Sequence, residues 1–186
     1  MTRRPPLEGT PLLLRAMRFA AEHHRDHRRK GTIAAPYINH PIAVAEQLAR
    51  AGLHEDIELL AAALLHDLVE DAGVTRAELE REFGPRVAAI VLEVTDDTAL
   101  RSTERKRIVV ETIAGKSREA RLVKLSDLVA NVADVVQHPP HWSRERTETY
   151  LDWAEAVVDR LRGVNGELER AFDEGLARAR RQAARG

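Results

Sequence analysis

AALLHDLVEDAG, residues 62–73, begins as a run that any buried helix could carry and then places His66, Asp67, Glu70 and Asp71 within six positions. Bringing that much charge into apolar sequence is costly unless the groups are paired or ligating. Read as one helix, the stretch sets His66 one turn from Glu70 and Asp67 one turn from Asp71, two pairs on neighbouring stripes. One turn is about 5.4 Å, the scale that separates a metal ligand from a water-activating carboxylate. His66 and Asp67 point roughly 100° apart, so both can reach a single ion at the helix edge.

The sequence on either side is helical in period. β-branched runs bounded by hairpin turns are missing, and the expected fold class is all-α. Helices are predicted from Pro11 to about Arg28, from Pro41 to Gly52, and from about Asp56 to Asp71 with a stop at Gly73. Between the first two lies KGTIAAPYINHP, whose glycine and prolines forbid a continuous helix. TRAELEREFGP carries Thr75 three residues before Glu78, the capping-box arrangement, then Gly84 as a stop and Pro85 as a fresh start. PRVAAIVLEVT, TERKRIVVETI, SREARLVKLSDLVANVADVVQ and RERTETYLDWAEAVVDRLRG supply further helices, DDTALRS is a polar loop, and a last helix begins near Asn165. Its end, LARARRQAARG, loses its apolar face and is expected to fray from residue 178, and residues 1–10 to form a tail.

A chain of 186 residues suits one core, so a single domain over residues 1–186 is expected. Lys plus Arg number 29 against 30 Asp plus Glu, a net charge of -1, so nothing global points to nucleic acid or an anionic membrane and any basic site must be local. The chain has no cysteine, so metal ligands would have to be His and carboxylate. Arg15 and Arg18 break the first apolar run, which excludes a signal peptide's core, and no apolar segment nears the roughly 20 residues of a membrane span. A soluble, cytoplasmic protein is expected.

Two ligands do not close a metal site. His40 sits in YINHP before a helix start, and Asp127 sits in VKLSDLVANV, where an unpaired carboxylate would be hard to place. Asn131, four residues on, repeats the pattern of a ligand followed one turn later by a polar helper. His40, His66, Asp67 and Asp127 form a set suited to a borderline divalent ion such as Mn, Fe, Co or Zn. Such an ion yields hydroxide near neutral pH while Glu70 or Asp71 moves protons, which makes phosphoester or pyrophosphoester hydrolysis the natural reaction class. The rival reading of DLVEDAG alone is a solvated acidic helix end; the conjunction with Asp127 argues for the site. The other histidines, at 23, 24, 27, 54, 138 and 141, lie in charged or loop contexts and are expected at the surface.

HDLVED resembles the His-Asp and Glu-Asp signature of the HD-domain metal-dependent phosphohydrolases. RRKGTIAAPYINHPIAVA, ALLHDLVEDAGVT, VLEVTDDTALRSTERKR, LVKLSDLVANV and HWSRERTETYLDWAEAVVDRLRGVN follow in the order of one branch, the hydrolase domain of bifunctional alarmone enzymes and their stand-alone small relatives. The resemblance spans residues 28 to 165 and implies an HD-type helical bundle. It also implies a Mn-dependent hydrolase that removes the 3′-pyrophosphate of (p)ppGpp. By it, the metal ligands are His40, His66, Asp67 and Asp127, the water-handling pair is Glu70 and Asp71, and Asn131 is a substrate-side helper. Arg29 and Lys30 match a basic pair before the metal-binding His, and Arg146 and Tyr150 match substrate contacts on the late helix. Tyr37, the only other tyrosine, also falls in a matching segment and is taken as a substrate residue.

Where the family carries a basic residue, an aromatic or His, and an Arg after the Asp127 position, this chain has Leu128, Ala130 and Ala133, and Thr98 stands where the small relatives carry Lys. The altered periphery leaves two alternatives: the same chemistry on another phosphorylated nucleotide such as NADPH, or a catalytically silent nucleotide-binding module. Retention of Glu70 and Asp71 argues against the second. Oligomeric state is not legible in the sequence.

Overall fold

The computed structural model describes residues 8–29, 34–139 and 141–185, and among these it is helical throughout, with one isolated backbone bridge between Arg28 and Pro36 and no strand. The all-α expectation holds. In order come α1 (Gly9–His23), α2 (Asn39–Leu48), α3 (Ile57–Leu65), α4 (Leu68–Ala72), α5 (Arg76–Phe83), α6 (Pro85–Val94), α7 (Ser102–Thr112), α8 (Arg118–Gln137), α9 (Arg144–Asp159) and α10 (Gly166–Ala183). A π-type turn over Ala49–Leu53 carries α2 on to Gly52, whose φ of 85° reverses the chain.

Two helices make the centre. Every residue of α3 from Leu59 to Leu65 is buried, with α1, α2 and α6 packed around it. α8 is buried on most of its circumference and is flanked by α10, α2, α6 and α9, so its one buried carboxylate, Asp127, lies between apolar neighbours. A helix apolar on all sides is a helix enclosed by others. The capping box forms: Thr75 accepts from the Glu78 amide while Glu78 accepts from the Thr75 amide, and Pro85 opens α6 directly after Gly84.

Three expected boundaries shift. α1 starts at Gly9 and ends at His23, short of Arg28, because His27 and Arg29 turn back to bond the segment before α2. α10 stays helical past residue 178: Ala179 is buried and Arg180 bridges to Asp152 and Glu155 of α9. The third shift matters for chemistry. Asp56 to Asp71 is not one helix; it breaks at His66 and Asp67, where Asp67 takes φ −93° and ψ −6° before α4 begins. α4 then stops at Gly73, in the left-handed conformation (φ 66°) that only glycine adopts without strain.

Candidate active site

The break after α3 falls at the two residues that the site uses. His66 and Asp67 turn toward the same point, with His66 Nε2 3.1 Å from Asp67 Oδ2. His40, in the first turn of α2, brings its Nε2 to 3.8 Å from that oxygen and 3.2 Å from Asp127 Oδ1 on α8, which is 3.9 Å from His66 Nε2. Ligands about 2.1 Å from one ion lie roughly 3 Å apart at a right angle, and Asp127 comes within that scale of His40 and within 4 Å of His66. His40, His66 and Asp67 alone already form a cluster able to hold an ion.

Hydrogen positions reinforce the geometry. His66 Nδ1 lies 2.8 Å from the Ala63 carbonyl oxygen, which can only accept, so Nδ1 carries the proton and the Nε2 lone pair faces a carboxylate. That nitrogen is buried and has no hydrogen-bond partner. Two acceptors in contact need a cation or an extra proton between them. In the metal-free protein the proton serves: burial opposes it, but Asp67 overrides burial and lifts His66 to about 9. The two carboxylates, despite burial, are held well below their usual range, Asp67 by His66 and Asp127 by Lys124 and His40. The donor set therefore fits a divalent cation with two neutral imidazoles and two carboxylates.

The two carboxylates of the cluster are held from behind, and His66 by the Ala63 carbonyl, whereas His40 Nδ1 is buried without a hydrogen-bond partner. Tyr37 donates its hydroxyl to Asp67 Oδ2 at 2.6 Å, and burial together with Asp67 keeps that hydroxyl protonated. Asn131 donates to Asp127 Oδ1 at 2.5 Å while its own oxygen accepts from Arg29 at 2.8 Å. Lys124, buried one turn before Asp127, lies 3.1 Å from its other oxygen. Arg29 continues the chain to Asp134 at 2.5 Å. Tyr37, Asn131 and Arg29, expected as substrate contacts, line the cavity, and they also brace Asp67 and Asp127, Arg29 through Asn131.

Glu70 and Asp71 flank the cluster. Glu70 is half-buried, and burial raises its carboxyl to about 7 even though it accepts from the Asp96 amide at 2.6 Å. Asp71 lines the cavity and is also raised, by burial and then by Asp67. The cavity, of about 730 Å³, runs from Asp127 and Asn131 to Trp142, Tyr150 and Trp153. Tyr150 lies in it as expected; Arg146 is exposed outside it, lining an adjoining cavity of about 430 Å³, with its guanidinium 4.9 Å over the Trp142 ring. Lys30 lies outside the described residues.

Several residues here carried no signal of their own. Lys124, Arg105, Lys106 and Trp153 sit in ordinary amphipathic sequence. His24 is a correction: it is 2% exposed, stacked 4.7 Å from the Tyr37 ring with its Nδ1 3.0 Å from that of His27, and burial lowers it to about 4. Leu128 is a core residue at 0% exposure, so its identity bears on packing and not on a ligand, whereas Ala130 and Ala133 line a side cavity of about 240 Å³ behind Arg29 and Asp134.

A helical bundle that gathers two histidines and two aspartates at one point, with two elevated carboxyls beside them and a polar cavity in front, defines a metal-dependent phosphohydrolase. The model of the HD domain family matches residues 16–147, and the chain belongs to that family. It is 46% identical over 167 residues to guanosine-3′,5′-bis(diphosphate) 3′-pyrophosphohydrolase MESH1 of Danio rerio, covering 89% of this chain and 93% of that protein. The Homo sapiens protein of the same name is 48% identical over 161 residues, 86% and 90% of the two chains. Among solved structures, one described as a metazoan ortholog of SpoT that hydrolyzes ppGpp superposes with a TM-score of 0.87 at 40% identity, over 92% of this chain and 97% of that one.

Proposed function

We propose that this protein hydrolyses the 3′-pyrophosphate of (p)ppGpp, releasing GDP or GTP and pyrophosphate, with Mn²⁺ as the ion held by His40, His66, Asp67 and Asp127. The observation that carries this reading is the joint presence of the four-ligand cluster and close similarity to proteins named for that activity along nearly their whole length. A divalent ion held there acidifies water and neutralises charge on phosphoryl oxygens. The protein does the rest. Water adds to the phosphorus on the ribose 3′ oxygen, the P–O3′ bond breaks, and the 3′ oxygen leaves with a proton. Glu70 and Asp71, whose raised affinity for protons suits them to exchange near neutrality, take the proton from water and return one to the leaving oxygen. Two neighbouring carboxyls share that work as a pair. Tyr37 and Asn131 keep Asp67 and Asp127 aimed, Arg29 steadies Asn131 from the cavity wall, and Lys30, Arg146 and Tyr150 are the substrate-side residues of this proposal. The setting is the cytoplasm; among the described residues no helix is long and apolar enough to cross a membrane.

The side cavity lined by Ala130 and Ala133 favours a second reading, the same chemistry on another phosphorylated nucleotide such as NADPH. A panel of (p)ppGpp, NADPH and common nucleotides, incubated with the Mn-loaded protein and followed by product identification, separates the two. Pyrophosphate release from ppGpp alone is expected; phosphate release from NADPH with ppGpp intact would replace the first reading by the second.

A further inference from the structure

The cations around the cavity divide into two kinds. Arg29 and Lys124 are already committed, to Asp134 and Asp127. Arg105 and Lys106 of α7, Arg146 of α9 and Arg28 have no carboxylate within ion-pair distance among the described residues, Arg28 donating instead to the Arg25 and His27 carbonyl oxygens. Lys106 is the most specifically placed. Its ammonium lies 5.1 Å over the Trp153 ring and 5.5 Å over the Tyr150 ring, and Trp153 is itself pinned by donating its indole N–H to the Lys106 carbonyl oxygen at 3.1 Å. Tyr150 packs edge-on to Trp142 at 5.4 Å, and Trp142 carries Arg146 on its face.

The position is a junction. Ser102, Lys106, Trp142 and Tyr150 line both the metal-facing cavity and the adjoining one of about 430 Å³, whose wall adds Arg146, Ser143 and Thr149 and one carboxylate, Glu145, which makes no ion pair with Lys106 or Arg146 among the described residues. A substrate with anionic groups at two ends has its scissile end at the metal, where the cations are spent on carboxylates. Its other anionic end needs cations that are still free.

Resting on the function proposed above, we infer that Lys106, with Arg105 and Arg146 beside it, forms a second phosphate seat at this junction that receives the 5′-diphosphate of the nucleotide. Aromatic rings hold the ammonium in place without neutralising it, since they attract a cation but carry no charge. Burial and the nearby Arg146 both lower the lysine's proton affinity, so an anion arriving there relieves an existing cost.

The test is calorimetric titration of GDP and guanosine into Mn-loaded protein, parent against Lys106→Met, with Lys106→Arg as the rescue. The methionine keeps the stem's bulk and leaves the Lys106 carbonyl bonded to Trp153, and a melting curve and Mn content establish that fold and metal centre are retained. Losing one charge-assisted contact weakens GDP about tenfold; guanosine is unaffected and Lys106→Arg restores most of the loss. With ppGpp as substrate the loss falls on KM far more than on kcat. Equal GDP affinity in parent and Lys106→Met, or a parent that binds no GDP, overturns the seat. A parent that binds GDP through Lys106 but leaves ppGpp intact would sink the proposed activity while the seat stands.

Discussion

Asp127 faces Lys124 with one oxygen and His40 with the other, and replacing it separates the stability of the bundle from the chemistry of the site. Asp127→Asn keeps an oxygen to accept from Asn131 but removes the charge facing Lys124 at 3.1 Å, a pair whose side chains are only 9% and 15% exposed. At an effective dielectric constant of about 20, that pair attracts by roughly 5 kcal/mol. Part of this offsets desolvation, and stranding one buried partner typically costs about 3–5 kcal/mol. Domains of this size have only about 5–15 kcal/mol in total, so urea unfolding in chelator should show a midpoint far below the parent's. Lys124→Met in the same chain removes the stranded charge and should restore most of that stability. Metal titration should not follow it: both the single and the double variant lack a ligand charge and should bind Mn²⁺ weakly. A single variant as stable as the parent would mean that Lys124 is solvated or paired elsewhere. A double variant that binds Mn²⁺ like the parent would remove Asp127 from the ligand set.

Two further outcomes follow from local structure. Glu70 is raised by burial from 4.5 to about 7, so if its ionised form accepts the proton, kcat at saturating metal rises with pH up to about 7 and then levels; below that it falls about tenfold per unit. Glu70→Gln should abolish turnover while sparing Mn²⁺ binding, and a parent whose rate instead falls as pH rises through 7 would assign Glu70 the acid role. Gly73→Ala forces a side chain into φ 66°, at a cost of about 1 kcal/mol by melting curve; an unchanged melting temperature would show that α4 can end another way.

The fold was legible because its signals are local. The Thr75–Glu78 box, the Gly84–Pro85 stop and start and the Gly73 stop each rest on neighbours within four residues, and each forms. Where boundaries moved, a distant partner moved them. α1 ends early because the chain after His23 bonds residues 35 and 37, and α10 persists because Arg180 finds Asp152 and Glu155. The break between α3 and α4 has no proline or glycine to announce it. Asp67 leaves the helix where its carboxylate meets His66, His40 and Tyr37, and only the assembled site supplies all three.

The site divides along the same line. His40, His66, Asp67 and Asp127 stood out in sequence because a polar group in an apolar run is conspicuous wherever it falls, and the fold brings the four side chains together. The pairing of the cations around the cavity did not stand out, because a surface cation in amphipathic sequence looks the same whether it is free or paired. Arg29 stood out as part of a basic run, yet it is spent on Asp134, 105 residues away, and on Asn131. Lys106 stood out in nothing, sitting in ERKR between two arginines, yet it is the one that two aromatic rings from α9 hold at the junction of two cavities. Which cation meets the substrate is decided by which carboxylates fold beside the others, and that is a property of pairs distant in the chain. The candidate metal cluster is therefore written in a few short motifs, while the cavity in front of it is set by the contacts among α7, α8 and α9.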